Sequence, residues 1–336
     1  MMEPFISVII VSYNHAHLLP RALNACVDQT YKDFEIVIVN NGSTDSTPEV
    51  IEQFCKGNPE LRIVIKVVKK NIGIANGYYI GLAAATGTYI MYNNADDWME
   101  KDCLEVLAKK VKETEADRVF GLYREVDTKG NELRVVSFEA GMSFLLFLDS
   151  YGTIYRRSIF IEIGMIPLDT DAMDMSYWAK FSLYSQKNAF CNKVIYNYLV
   201  DPYSISGAKG GWKSIEYIRI NFEGIMPIYS TVKDLDTREE IEYMLIKQYY
   251  VALLQYNRNN SCAEIIKNYK STREIVSKYF PDYLKCKKLT LFRNNGDRKS
   301  GRRMTWVLSR LEKLHLMKIA LCLYVLSSKF TYLRSR

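Results

Sequence analysis

Three short polar clusters each follow an apolar run, and the amides and carboxylates of the second and third are of the kind that hold a divalent cation. Ser12-Tyr13-Asn14 follows residues 6–11, Asn40-Asn41 follows residues 36–39, and Asn94-Ala95-Asp96-Asp97 follows residues 89–92. Carboxylate and amide oxygens gathered at neighbouring strand ends suit a hard divalent cation, which a diphosphate would bridge. Asn and Asp serve equally well in turns and helix caps, so composition alone leaves both readings open. A further group, Asp169, Asp171 and Asp174, reads on its own as an acidic surface turn.

Several other chemistries are excluded. No GxGxxG follows the first apolar run, which argues against a dinucleotide fold, and the run from Gly207 to Ser214 places Trp212 where a P-loop requires glycine. A sugar nucleotidyltransferase would bring a Gly-rich loop with a basic residue straight after its first strand, where this chain has Ser12-Tyr13-Asn14. His15 and His17 have no third nitrogen or sulfur ligand nearby, so they make a poor zinc site. Seven cysteines, odd in number and without a CxxC pair or a secretory leader, predict a reducing, cytoplasmic compartment.

The elements that must position these clusters follow from periodicity. Residues 6–11, 36–39 and 63–68 are apolar, β-branched runs and predict buried strands, with a fourth strand at 89–92. Between the first two, Leu18, Leu19, Ala22, Leu23, Cys26 and Val27 line one helix face. A second helix is expected from Ser43 or Thr44, a third over 74–85 ending before Gly87, and a fourth over 101–114. Strand–helix alternation of this kind predicts a mostly parallel α/β sheet, whose ligands sit at the carboxyl ends of its strands. Residues 118–125 and 132–138 read as a hairpin, and beyond Trp212 the chain turns helical, with Ile241, Met244, Leu245, Gln248, Tyr249 and Ala252 on one stripe. With 336 residues, two domains are expected, 1–212 and 213–336.

Taken in order, Ser7-Val8-Ile9-Ile10-Val11-Ser12-Tyr13-Asn14, Gln29-Thr30-Tyr31, the block from Phe34 to Thr47, Asn71-Ile72-Gly73 and Gly87-Thr88-Tyr89-Ile90 leading to Asn94-Ala95-Asp96-Asp97-Trp98 resemble the family-2 glycosyltransferases of the GT-A fold, over roughly residues 5–206. The resemblance is to the bacterial type that builds cell-surface polysaccharide. It implies a GT-A domain with a helical C-terminal extension, a nucleotide-diphosphate sugar donor with UDP favoured, and inverting transfer to a hydroxyl of a lipid-linked or polysaccharide acceptor. It also implies a donor site made of Ser12, Tyr13, Asn14, Asn40, Asn41, Asn94, Ala95 and Asp96. Tyr13 would pack on the base, and Asp96 would bind Mn²⁺ or Mg²⁺. Asp174, four positions before Trp178, maps to the base that takes the acceptor proton. Asp201 stands where many members carry a histidine near the metal, and 207–211 would be a lid.

The chain departs from the family at several of these places. Asn40 and Asn41 replace the acidic pair that reads base and ribose, although an amide oxygen still accepts from a uracil N–H. Asn94 replaces an aspartate, and Tyr78-Tyr79 replace Arg-Asn, which removes a diphosphate contact. Asp97 is expected to cap the following helix or to support Asp96, and Arg156 or Arg157 to face phosphate or to serve a structural surface role. The rival reading is a catalytically silent, glycosyltransferase-like binding or scaffold protein.

Charge is unevenly distributed. Residues 285–336 hold fourteen Lys/Arg against Asp297 and Glu312, while the whole chain is only +7. Together with Trp306, Leu311, Leu314, Met317, Leu321 and Leu323, this surplus predicts peripheral attachment to the inner face of the cell membrane, with a helix packed on the catalytic domain as the alternative. No aromatic-interleaved groove motif accompanies it, so nucleic acid is not an expected partner.

Overall fold

The computed structural model describes residues 5–138, 142–146, 150–164, 176–201, 214–255, 257 and 260–334. Its elements are β1 (Ile6–Ser12), α1 (Leu19–Val27), β2 (Phe34–Asn41), α2 (Thr47–Gly57), β3 (Ile63–Val68), α3 (Ile74–Ala84), β4 (Tyr89–Asn94), β5 (Trp98–Met99), α4 (Cys103–Thr114), β6 (Arg118–Val126), β7 (Glu132–Val136), β8 (Thr153–Arg156), α5 (Arg157–Ile163), α6 (Ser176–Tyr184), β9 (Asn188–Leu199), α7 (Ser214–Thr231), α8 (Leu235–Gln255), α9 (Cys262–Tyr279), α10 (Lys299–Lys313) and α11 (Met317–Arg334). They form two compact units, one around the sheet and one of the C-terminal helices with most of α6.

The sheet runs β3-β2-β1-β4-β8-β6-β9-β5, with β7 beside β6. Strands β1 to β4 are parallel to one another, β8 runs antiparallel to β4 and β6, and β6 and β9 are parallel. β1 and β2 are buried at every position because both their faces are covered. Ile6, Val8, Ile10, Ile36 and Ile38 join Leu19, Leu23, Cys26, Ile51 and Phe54 in one core. On the opposite face α3 lies directly on the strands. A Cβ at Gly81 would come within 2.3 Å of Ile9 and one at Gly77 within 2.5 Å of Val11, so α3 could not seat so closely with alanine at either position.

Two sequence expectations change. β3 is a strand, but it ends the sheet and is largely uncovered, with Val67 72% exposed. α2 starts at Thr47, not at Ser43 or Thr44, because those residues are drawn into loop-to-loop hydrogen bonds. The 118–138 segment does form a hairpin about the Asp127 turn, whose carboxylate accepts from the Lys129 and Asn131 N–H groups.

In the helical unit, α8 packs with α7, α9 and α10. Its buried surface is therefore wider than one stripe and includes Tyr243, Ile246, Tyr250 and Leu253 besides Ile241, Met244, Leu245, Tyr249 and Ala252. α9 opens with a reciprocal cap in which the Ser261 hydroxyl accepts the Glu264 N–H and the Glu264 carboxylate accepts the Ser261 N–H. Of the six residues expected to meet a membrane, Met317 and Leu321 are only 1% exposed and pack inward.

Candidate active site

Register alone aligns the three polar clusters. Ser12 pairs with Asn40 and Val11 with Asn94, so the loops after β1, β2 and β4 leave the sheet side by side. Asn14 takes a left-handed conformation (φ 56°), which asparagine tolerates better than most residues. From there its N–H donates to Ser43 Oγ (3.0 Å) and its Oδ1 accepts the Thr44 N–H (2.7 Å), which ties the first loop to the second. The Ser43 N–H donates to Asn40 Oδ1 (3.0 Å), and the Asp45 carboxylate accepts from the Ala16 N–H (3.1 Å) and the Thr47 N–H (3.0 Å). Tyr13 is left exposed beside this lattice.

Asn41 is buried, and its amide is spent on the loop before α3. Nδ2 donates to Asn71 Oδ1 (3.1 Å) and to the Gly73 carbonyl (3.2 Å), while Oδ1 accepts the Ile72 N–H (3.3 Å). An aspartate has no N–H to give either acceptor, so asparagine is the residue this loop geometry requires.

At the end of β4 the network closes around Asp97. The Tyr78 hydroxyl donates to Asn94 Oδ1 (2.5 Å), Asn94 Nδ2 donates to Asp97 Oδ2 (2.7 Å), and the Tyr196 hydroxyl donates to the same oxygen (3.0 Å). The Leu199 N–H donates to Asp97 Oδ1 (2.8 Å). Burial, joined by the charge of Asp96, holds the Asp97 carboxyl well above the usual carboxylate range, against the pull of these donors. Asp97 does not cap the next helix; it anchors the strand-end turn to β9. Asp97→Ala would leave the Asn94 amide, the Tyr196 hydroxyl and the Leu199 N–H without their acceptor, and we expect a loss of about 3 kcal/mol in urea unfolding at neutral pH. Because the folded pKa is raised, the titration contributes stability that is present below the unfolded value of about 4 and is lost as pH rises through the folded value. The stability of the native protein relative to Asp97→Asn is therefore expected to increase as pH falls toward 4.

Asp96 is half-buried, and its main chain is held from α1. Arg21 Nη2 donates to the Asp96 carbonyl (2.7 Å), and the guanidinium stacks 3.8 Å above the Trp98 ring, spanning the turn. Burial lowers the Arg21 pKa against the opposing charges of Asp97 and Asp96. Sequence reasoning missed Arg21 and Tyr196. The only local signal was a basic residue beside the apolar face of α1, and Arg21 and Asp96 lie 75 positions apart.

The other expected site residues are distributed differently. Ser12 and Ala95 are buried in the strand ends. Asp201 follows β9 by two residues and belongs to the helical unit. Asp174 and the 207–211 segment lie outside the described residues. Arg156 and Arg157 are at the wrong end of the sheet for phosphate: Arg156 pairs in register with Tyr89 at the start of β4 and bonds Asp117 (2.7 Å), and Arg157 donates to the Gly87 carbonyl (2.7 Å). The structural surface role is theirs.

Among the described residues no three His, Cys, Asp or Glu side chains are grouped to enclose a metal. A hard cation is commonly held by one or two carboxylates and completed by substrate phosphate and water. Asp96, an oxygen donor on a braced turn at the strand ends, fits that arrangement.

Comparison with known proteins agrees with this architecture. The family described as "Glycosyl transferase family 2" matches residues 7–175. Glycosyltransferase GlyA of Streptococcus pneumoniae is 27% identical over 230 residues, 61% of this chain and 32% of that protein. Chondroitin synthase of Pasteurella multocida is 35% identical over 129 residues, 38% of this chain and 13% of the synthase. The chain thus spans about a third or less of these two relatives. Among solved structures, S. aureus TarS 1–349 in complex with UDP-GlcNAc aligns with a TM-score of 0.53 at 16% identity, over 82% of this chain and 92% of that one. Mannosyltransferase PcManGT from Pyrobaculum calidifontis, in complex with GDP-Man and Mn²⁺, aligns with a TM-score of 0.51 at 16% identity, over 93% and 89%. At such identities the likeness is one of fold.

Proposed function

The chain belongs to glycosyl transferase family 2, and from that premise we propose that it is an inverting, metal-dependent enzyme that moves a sugar from a UDP-sugar to a hydroxyl of a lipid-linked or polysaccharide acceptor in cell-surface glycan synthesis. The observation that carries this reading is the convergence of the β1, β2 and β4 loops on one cluster with Asp96 on a braced turn. The nucleotides named for the solved neighbours, UDP-GlcNAc and GDP-Man, support a nucleotide-sugar donor.

In the proposed reaction the acceptor oxygen attacks the anomeric carbon, and the bond from that carbon to the diphosphate breaks with its electron pair leaving on phosphate. Asp174 takes the hydroxyl proton as the new bond forms. Tyr13, exposed beside the first two loops, stacks on the base. Asp96 would hold the cation, and Arg21 fixes the carbonyl and the indole on either side of Asp97. Mn²⁺ or Mg²⁺ bound at Asp96 would supply charge to stabilise the leaving diphosphate. The reaction would run at the inner face of the cell membrane on cytoplasmic donor.

The amides at 40, 41 and 94 motivate the rival, a silent binding or scaffold protein. Their hydrogen bonds supply a different reason for them: each works within the scaffold, two of them as donors that an aspartate would not replace. Calorimetry with UDP in the presence and absence of Mn²⁺ tests the reading. We expect tight binding that requires the metal, whereas equal affinity without metal would remove the cation from the scheme.

A further inference from the structure

The two acidic residues of the basic C-terminal segment both point inward. Asp297 is 3% exposed and accepts from the Tyr243 hydroxyl (2.9 Å), Lys247 Nζ (2.6 Å) and the Arg298 N–H (2.8 Å). Glu312, also 3% exposed, accepts from the hydroxyls of Tyr249 (3.2 Å), Tyr250 (2.7 Å) and Tyr269 (2.9 Å) and pairs with Arg273 (3.3 Å). Lys285, Lys287 and Lys288, by contrast, are matched by Asp282, Glu239 and Asp236. Most of the remaining basic residues of the segment lie on α10 and α11, whose one acid is buried, and Arg303, Lys313 and Lys318 stand exposed there.

The same two helices leave an apolar face outward. Met317, Leu321 and Val325 form the inner row of α11, while Ile319 and Leu323, each 60% exposed, and Leu326 form an outer row that continues back through Leu316 and Leu314. Spacing of three and four places Leu316, Ile319, Leu323 and Leu326 on one stripe, with Leu314 exposed in the turn before it. No helix of the described residues is long and apolar enough to cross a membrane. A second copy is a poor occupant, because a self-paired stripe would set basic surface against basic surface with no exposed carboxylate on either helix. An anionic bilayer offers apolar depth and the opposite charge together.

We propose that α11 and the α10–α11 turn form an interfacial membrane-binding element that lies in the plane of an anionic phospholipid surface, with Leu314, Leu316, Ile319, Leu323 and Leu326 entering the headgroup boundary. The inference stands apart from donor chemistry, so its test needs neither nucleotide nor metal. The full chain is sedimented with vesicles of phosphatidylcholine alone or with about 30% phosphatidylglycerol, at low salt and at about 0.5 M sodium chloride. We expect binding to the anionic vesicles only, released by salt. Ile319→Ser with Leu323→Ser, and separately Lys313→Glu with Lys318→Glu, should each weaken it roughly tenfold or more while circular dichroism and melting stay native. All four positions are exposed, which spares the fold. Indifference to vesicle charge, native-level binding by both double variants, or conversion of a dimer to a monomer by Ile319→Ser/Leu323→Ser without change in sedimentation would overturn the proposal.

Discussion

Asp96→Ala is expected to abolish metal-dependent UDP binding and to lower sugar transfer by about 10³-fold or more. The size follows from what the bound cation does, since stabilising the charge of a leaving group is worth several kcal/mol and each 1.36 kcal/mol is a factor of about ten in rate. The turn keeps the Arg21 bond to the Asp96 carbonyl, which alanine retains, and the bonds made by Asp97. A melting temperature near that of the native protein, alongside lost metal response, is the signature of a ligand. Unfolding would point to a structural role, and unchanged metal-dependent UDP affinity would remove Asp96 as the ligand.

Asp174→Asn should reduce transfer by roughly 10² to 10⁴ while UDP binding stays within about threefold, because the substitution keeps shape and removes only proton acceptance. A readout specific to a base is the pH profile of kcat/KM. Where the native enzyme rises as a carboxylate ionises, the variant should be flat over the same range. Near-normal turnover by Asp174→Asn would move the base elsewhere.

Much of the scaffold was legible because burial on both faces leaves a plain mark. The apolar runs at β1, β2 and β4 mark strands wherever a helix covers each side, and the polar residues that end them mark where those strands leave the sheet. β3 carries the same kind of run yet lies at the open edge, since an apolar stretch does not say how many neighbours its strand has. The site was legible as a set of positions but not as a set of partners. Asn41, Asn94 and Asp97 bond groups 16 to 102 residues away on β9, α3 and the loop before α3, distances over which periodicity carries no information. That is also why Ser43 and Thr44 look like helix caps: their consumer, Asn14, is 29 to 30 positions upstream. Glu312 was hidden for the same reason. Beside Lys313 it reads as an ordinary surface acid, and only the tyrosines of α8 and α9 bring it inside.

Phosphorus NMR of the purified chain with UDP-, GDP- and dTDP-sugars, with and without Mn²⁺, tests the enzyme assignment most directly. We expect release of UDP from a UDP-sugar that requires the metal, is absent in Asp96→Ala, speeds up when a hydroxyl acceptor is added, and yields a glycoside of inverted anomeric configuration. A folded chain that binds UDP equally with and without metal and releases no nucleoside diphosphate from any of the donors would contradict it.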